Sequence, residues 1–386
     1  MSSWNIPLSD LDYGPEEEAA VLRVLRSKWL SMGPEVQAFE KEFAMMQSAK
    51  HAFAVSNATA GLHLAFLALG IGAGDEVIQP ALNFVATANM TVATGATPVF
   101  ADIINLDEPT IDFAHIERLI TKRTKAVVVM HYGGNLCRMA ELLELCRNHK
   151  LALIEDACHA VGAAYRDAKR RPPHGLMAGS IGDISAFSFF ANKNIATGEG
   201  GMVVTNRDDL AGRIRLLRSH GMTTLTWDRH EGHASSYDVA TNGYNYRLDE
   251  LHAAIGRVQL SKLATNNERR RRLLASYRER LKGLEHWLIP FAGTDGDNSG
   301  HLVVAVAPTA EDRCDAVQKL RESGIQTSLH YPCIPDFNGF ARWKTDAVKI
   351  SREFTSRAIT LPIFPTMSEA QVNTVCSVME SRPKQG

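Results

Sequence analysis

The 386-residue chain is long enough for one large domain and a smaller one, and its 42 Lys and Arg residues nearly balance 43 Asp and Glu residues. This balance excludes the basic composition typical of proteins that bind nucleic acid or anionic membranes, so we expect small-molecule partners. Six scattered cysteines indicate neither a disulfide framework nor a zinc site. Without a signal segment or an apolar run of about 18 residues, we expect a cytoplasmic protein with no membrane span.

Two helices are predicted in the first 50 residues. The first predicted helix covers residues 16–26 and begins with acidic residues. The second begins near Pro34, because proline suits the first position of a helix. The loop between them carries Trp29, which is either a hydrophobic plug between the helices or a wall of the substrate site.

From residue 51 short β-type runs alternate with helical stretches. This alternation predicts an α/β fold, in which helices cover both faces of a mostly parallel seven-stranded sheet in a three-layer α-β-α large domain. Ligands bind such sheets at the carboxyl ends of the strands. The predicted strands cover residues 52–55, 76–79, 98–101, 125–130, 152–155, 184–189 and 202–205.

A smaller α+β carboxyl-terminal domain is predicted over residues 256–386, after a large domain over 1–255. It contains a helix, a strand over 302–306, a helix over 311–323, a strand over 326–330, an irregular loop and a last helix near 368–379. The arginines at 269–272 are interpreted as a solvated helix face. His220, His230 and His233 match no standard metal-site spacing, and we expect no metal.

A lysine and three glycines lie between two predicted strands, in residues 188–201. Lysine is mostly an exposed residue, so Lys193 alone suits a solvated loop. A lysine in a desolvated pocket can instead form a Schiff base with the aldehyde of pyridoxal 5'-phosphate (PLP). Residues 188–201 alone leave both interpretations open.

Two other segments follow predicted strands. Residues 56–61, with Thr59 and Ala60, open a helix and form either a simple helix cap or an anion site of free amides and a hydroxyl. Asp156 ends an apolar strand, where a carboxylate is expensive to bury without a cationic partner. It either caps the following segment or pairs with the pyridine nitrogen of PLP.

Four motifs together resemble the DegT/StrS-type sugar aminotransferases, a branch of the fold-type I PLP enzymes. They are Ser-Asn-Ala-Thr-Ala-Gly, Glu-Asp-Ala-Cys-His-Ala, Ser-Phe-Phe-x-x-Lys-Asn-x-x-Thr-Gly-Glu-Gly-Gly and Gly-Tyr-Asn-Tyr-Arg. They occur in the family's order, and the resemblance covers nearly the whole chain.

The resemblance implies a role for each matching position. Lys193 forms the Schiff base with PLP, Asp156 pairs with the ring nitrogen, and His159 lies by the ring and its hydroxyl. Thr59, the Ala60 backbone and Ser188 bind the phosphate, and Phe84 stacks on the ring. Asn245 binds the phosphate in the neighbouring subunit. The active site would then exist only in a homodimer.

The resemblance also implies the reaction, in which an amino acid, with L-glutamate expected, gives its amino group to a keto sugar that is expected to be nucleotide-linked. The alternatives are a transaminase of a cyclitol ketone or keto-acid sugar, and a PLP-binding regulatory protein without turnover. Two features depart from the family: Arg138 replaces a common aspartate, and residues 169–174 form a basic loop that either contacts a nucleotide diphosphate or is a solvated insertion.

Overall fold

The structure, a computed structural model, describes residues 4–165, 177–224, 236–291 and 298–380, together with Trp227, His230 and Gly232. Within these residues no helix is long and apolar enough to cross a membrane. The helices are α1 (Pro15–Ser27), α2 (Pro34–Met46), α3 (Ala58–Ala68), α4 (Ala86–Ala93), α5 (Phe113–Leu119), α6 (Met139–His149), α7 (Asp208–Leu217), α8 (Glu250–Leu281), α9 (Ala310–Glu322), α10 (Lys349–Arg357) and α11 (Glu369–Glu380).

The large sheet has the order β1-β7-β6-β5-β4-β2-β3; β7 runs antiparallel to both of its neighbours, β1 and β6, and the other pairs are parallel. Two further strands, β8 and β9, form a separate antiparallel pair. The strands are β1 (His51–Val55), β2 (Glu76–Pro80), β3 (Thr97–Ala101), β4 (Thr124–Met130), β5 (Ala152–Asp156), β6 (Ile184–Ser188), β7 (Gly201–Thr205), β8 (Val303–Val306) and β9 (Ala358–Leu361).

Helices pack on both faces of the large sheet. Residues of α3 and α7 share one core cluster with the strands, and residues of α2 and α8 share another with β1, β6 and β7. The strands are almost wholly buried, as expected for a sheet covered on both faces. The predicted three-layer α/β fold with a mostly parallel seven-stranded sheet is therefore confirmed.

The carboxyl ends of the central strands meet at one edge of the sheet. Asp156 on β5 pairs with Met130 on β4 and with Ala186 on β6, and Ser188 at the end of β6 pairs with Gly201. Because β7 is antiparallel, its first residue, Gly201, lies at this same edge. The segments that follow β1, β4, β5 and β6 are thus placed side by side.

Helix α8 joins the large sheet to the carboxyl-terminal elements. Its first half packs against α2, and its second half contributes Leu273, Tyr277 and Leu281 to a core with β8, β9, α9 and α11. The expected boundary between residues 255 and 256 lies within this helix, and the division into two domains stays a prediction. Glu250, at the start of α8, accepts backbone hydrogen bonds from Gly33, Glu35 and Val36 and so caps α2.

Two expectations for the carboxyl-terminal part are wrong. Residues 326–330 do not form a strand, because β8 pairs with β9 and only Ser328 bridges to Thr360. Arg270 is not on a solvated face, since it is 3% exposed and donates to the carbonyl of Ile363. Four consecutive residues point in almost all directions around a helix, so one member of the 269–272 run must face the core.

Candidate active site

A cavity of about 640 Å³ opens at the carboxyl edge of the large sheet. Its size is typical of small-molecule sites. It is lined mainly by residues at or after the carboxyl ends of β1, β2, β4, β5 and β6, and by two residues from the carboxyl-terminal part. The lining residues are Asn57, Ala58, Thr59, Leu62, Asn83, Phe84, Ala86, Met130, Asp156, Cys158, His159, Ser188, Phe190, Asn192, Lys193, Glu199, His330 and Tyr331.

Lys193 lies in the loop between β6 and β7, and its side chain reaches the cavity. Its backbone N–H donates to the carbonyl of Phe190 over 2.9 Å, which closes a tight turn before the lysine. Burial lowers the pKa of the Lys193 amine, while Cys158 and Asp156 act in the opposite direction. The amine is therefore more often neutral than that of a solvated lysine, as a nucleophilic or proton-transferring lysine requires.

The residue after the lysine fixes the loop. The amide nitrogen of Asn194 donates to Asn267 on α8 and to the carbonyl of Ser299, each over 2.8 Å. Its oxygen lies 2.9 Å from Nδ1 of His301, which completes the hydrogen bonding of the buried amide. The loop that carries Lys193 is thus anchored to α8 and to the 299–301 segment.

Asp156 is 4% exposed and lies at the end of β5. One carboxylate oxygen accepts from Asn83 at 3.3 Å and from Thr87 at 3.2 Å, and the other accepts the backbone N–H of Cys158 at 3.3 Å. None of these donors is charged. A buried carboxylate with only neutral partners suits a cationic group in the cavity.

The first turn of α3 faces the same cavity. Asn57 caps the helix, since its side chain accepts the N–H of Ala60 over 2.8 Å. The amides of the first turn have no partner within the helix, and Ala58 and Thr59 line the cavity, so the dipole and free amides suit an anion. Gly201 permits the close approach of β7, because a Cβ there would lie 2.8 Å from the nitrogen of Ala58.

His159 and Tyr331 form another wall of the cavity. His159 Nε2 lies 2.7 Å from the Tyr331 hydroxyl, and the two rings stack with centroids 5.7 Å apart. Burial, with smaller effects of Lys193 and His330, holds the pKa of His159 well below its usual value. Phe84 lies at the mouth, 52% exposed, with its ring 5.6 Å from that of Tyr331.

Most of the predicted site residues meet at this cavity, and two do not line it. The Ala60 N–H is already bonded to Asn57, and Asn245 is exposed in the loop before α8. Sequence reasoning missed Asn83, which precedes α4, and Thr87, which lies in its first turn, although their spacing of four residues was a usable signal. It also missed the hydrogen bond that joins His159 to Tyr331.

Two other sequence features, Trp29 and Arg138, lie away from the cavity. Trp29 stacks on His230 with centroids 4.4 Å apart and packs edge-on against Trp227. Arg138 pairs with Glu108 on the surface. Residues 169–174 and His233 lie outside the described part of the chain, and within that part no group of three or more His, Cys, Asp or Glu side chains is placed to hold a metal.

The sequence profile of the DegT/DnrJ/EryC1/StrS aminotransferase family matches residues 12–380. The chain belongs to this family. It is 41% identical over 372 residues to the spore coat polysaccharide biosynthesis protein SpsC of Bacillus subtilis (strain 168), a match that covers 94% of this chain and 93% of SpsC. The family and enzyme class predicted from the sequence are therefore confirmed.

Two solved structures share the fold along nearly the whole chain. PseC of Helicobacter pylori, an aminotransferase involved in the biosynthesis of pseudaminic acid, is 29% identical with a TM-score of 0.87 and covers 98% of each chain. DesI, solved in the presence of its TDP-sugar product, is 31% identical with a TM-score of 0.82 and covers 94% of this chain and 88% of DesI.

PLP is the cofactor of DegT/DnrJ/EryC1/StrS aminotransferases, so the protein is a PLP-dependent aminotransferase. The cavity fits this group at three points. It offers an amine of lowered pKa, a buried carboxylate whose hydrogen-bond donors are all neutral, and a helix amino terminus for a phosphate. The predicted roles of the individual residues stay predictions.

Proposed function

We propose that the protein transfers an amino group from L-glutamate to a nucleotide-linked keto sugar in amino-sugar biosynthesis. The names of its relatives support this substrate class, since SpsC acts in polysaccharide biosynthesis and DesI has a TDP-sugar product. The polar side chains of Asn192 and Glu199 in the cavity wall suit a hydroxylated ligand.

The observation that carries the proposal is the common placement of Lys193, Asp156 and the α3 amino terminus around one cavity. Each comes from a different strand end, and the sheet register brings these ends to the same edge. The three groups match the aldehyde, the ring nitrogen and the phosphate of PLP.

When bound, PLP supplies a carbonyl that takes the amino group and a ring that accepts electrons. Lys193 Nζ would remove the proton from the substrate carbon that bears the amino group and return a proton to the acceptor's carbon in the second half-reaction. A neutral amine can act as this base, and burial of Lys193 favours the neutral form. Asp156 would keep the ring nitrogen protonated, with its own position fixed by Asn83 and Thr87.

Thr59, Ser188 and the first turn of α3 would bind the phosphate, and Phe84 would cover the ring. The Ser188 hydroxyl accepts the N–H of Phe190 over 3.3 Å, so its own proton is available to a phosphate oxygen. The Ala60 N–H has a partner in Asn57, and we therefore assign the backbone contact to Ala58 and Thr59 instead.

We propose a homodimer that completes this site. Phe84, Phe190 and Tyr244 are large apolar side chains that are 52%, 46% and 38% exposed. Phe84 and Phe190 line the cavity, and exposed rings of this kind suit a protein interface. Asn245 follows Tyr244 directly and would reach the phosphate in the partner's cavity. Light scattering should give a dimer, and Asn245→Ala should weaken PLP retention without changing the fold.

The amino donor and acceptor are tested separately. Adding L-glutamate to the PLP-loaded protein should shift its visible absorption and release 2-oxoglutarate, whereas a regulatory protein without turnover would release none. The aminated protein is then offered nucleotide-linked keto sugars, cyclitol ketones and keto-acid sugars. Restoration of the original absorption by a cyclitol or keto-acid sugar alone would contradict the proposed acceptor.

A further inference from the structure

A chain of hydrogen bonds in the cavity has a direction fixed by a backbone amide. The N–H of Gly133 donates to His159 Nδ1 over 3.3 Å. A nitrogen that accepts a hydrogen bond carries no proton, so the proton of the neutral imidazole lies on Nε2. Nε2 lies 2.7 Å from the Tyr331 hydroxyl oxygen and therefore donates to it.

The amide at the start of this chain cannot reorient freely. Gly133 and Gly134 form a tight turn after β4, with φ angles of +62° and +90° that favour glycine. A Cβ on Gly134 would lie 2.0 Å from the hydroxyl oxygen of Ser299 and 2.9 Å from the carbonyl oxygen of His159. The turn is packed directly against the His159 segment, and the Gly133 N–H is held in place.

The imidazole is also held as the neutral form. His159 is 3% exposed, and its ring lies between those of His301, at 4.4 Å, and Tyr331. Burial lowers the pKa of His159 well below its usual value, and the charges of Lys193 and His330 act in the same direction. Neutral His159 has one N–H, and that N–H is committed to Tyr331.

We propose that Tyr331 is the hydrogen-bond donor of this wall and that its O–H donates to an anionic or carbonyl oxygen of a bound ligand. Its hydroxyl oxygen accepts from His159, and among the described residues no acceptor is found for its own proton. Tyr331 lines the cavity together with Lys193 and Asp156. Burial raises the pKa of the Tyr331 hydroxyl well above its usual value, so it keeps this proton.

This inference rests on the proposed function, because two oxygens could accept the hydrogen bond from Tyr331: the ring oxygen of PLP and an oxygen of the keto acceptor. The order of the strands along the sheet edge favours the ring oxygen of PLP. The phosphate-binding residue Ser188 ends β6, Asp156 ends β5, and Gly133 follows β4, so Tyr331 contacts the side of the site away from the phosphate. The ring oxygen of PLP lies on that side of the ring.

The test is a pH titration of the visible absorption of the PLP-loaded protein, with and without Tyr331→Phe. Loss of a donor to a negatively charged ring oxygen raises the proton affinity of the chromophore, and we expect the midpoint to rise by about one pH unit, a tenfold change. Tyr165→Phe is the matched control. The Tyr165 hydroxyl makes hydrogen bonds with the backbone of Met139 and Cys137 away from the cavity, so the midpoint of the titration should not change in this variant.

A raised midpoint in Tyr331→Phe alone supports the inference and assigns the ring oxygen. An unchanged midpoint with an acceptor KM raised about tenfold supports it and assigns the acceptor oxygen. If the midpoint and the acceptor KM both stay unchanged, the inference is overturned. The titration needs no sugar, so a wrong acceptor class does not affect it.

A second pair of variants tests the direction of the hydrogen bonds from His159 to Tyr331 without changing Tyr331. His159→Gln keeps one donor and one acceptor in the side chain, whereas His159→Leu has neither. The midpoint should move in the leucine variant and stay near the original value in the glutamine variant. Equal shifts in both would contradict a role for the His159 donor.

Discussion

Glu155 and Asp156 are neighbours on β5, and their carboxylates serve opposite faces of the sheet, as successive strand residues must. Glu155 is fully buried, contacts Nε2 of His131 at 2.8 Å and accepts three backbone N–H groups from the 179–182 turn. Asp156 faces the cavity with only neutral partners. One acid therefore organises the fold, and the other is available to a ligand.

Neutralising each acid should separate these effects. Asp156→Asn should lower turnover by at least about 100-fold with little loss of stability, because it removes the charge that keeps the PLP nitrogen protonated. Glu155→Gln should lower the free energy of unfolding by about 3 kcal/mol, since buried donors lose a charged acceptor. For each variant, steady-state kinetics measures turnover and thermal unfolding measures stability. Equal stability losses in the two variants would contradict the division.

The phosphate-binding residues can be tested by cofactor retention. Replacing Thr59 and Ser188 together with alanine removes two hydroxyl donors to a charged group, each contributing about 1.5 kcal/mol or more. The PLP dissociation constant should rise at least 100-fold, with unchanged circular dichroism. Thr94→Ala removes a hydroxyl that bonds only to the α4 backbone and serves as the control. Unchanged PLP affinity in the double variant would exclude α3 as the phosphate site.

The contact between α8 and α2 should be important for stability. Glu250→Ala leaves three backbone N–H groups at the start of α2 without their acceptor and should cost about 1–3 kcal/mol. Glu268 on the same helix makes exposed pairs with Arg271 and Arg272, and its alanine variant should lose less than about 1 kcal/mol. Urea unfolding of both variants gives the comparison. A larger loss for Glu268→Ala would be inconsistent with the cap.

Stability should fall in mild acid. Burial and the charge of Lys193 lower the pKa of His330 to about 4 from 6.5 in the unfolded chain. Between these values the unfolded chain binds more protons, so stability is complete above pH 6.5 and decreases as the pH falls toward 4, by about 3 kcal/mol for this group. The thermal midpoint of the PLP-loaded protein should follow this trend. His330→Asn should show a shallower decrease, and an unchanged slope would contradict the assignment.

The strand pattern predicted the sheet because its strands are short, apolar and separated by helices. Lys193, Asp156 and Thr59 were predicted as site residues partly because they lie at or shortly after strand ends, where a parallel sheet gathers its ligand contacts, and their roles stay predictions. The paired strand β9 was missed, since residues 358–361 follow α10 without a turn signal.

Contacts between distant segments could not be read from local pattern. Arg270 looked like part of a charged surface, but the packing of α8 against the carboxyl-terminal elements buries it. His159 was placed near the cofactor by resemblance, yet its hydrogen bond to Tyr331 joins residues 172 positions apart. Such pairs depend on the folded arrangement and have no periodic signature.

The central claim is that Lys193 links the protein covalently to PLP and transfers the proton during turnover. The most direct measurement is the absorption spectrum of Lys193→Ala with PLP, followed by addition of L-glutamate, next to the unchanged protein and Lys50→Ala. Lys50 is exposed and pairs with Asp208 on the surface. We expect Lys193→Ala to lack the visible band of the lysine-bound cofactor and to show no turnover, while Lys50→Ala keeps both. A Lys193→Ala protein that retained the band and turned over glutamate would contradict the claim.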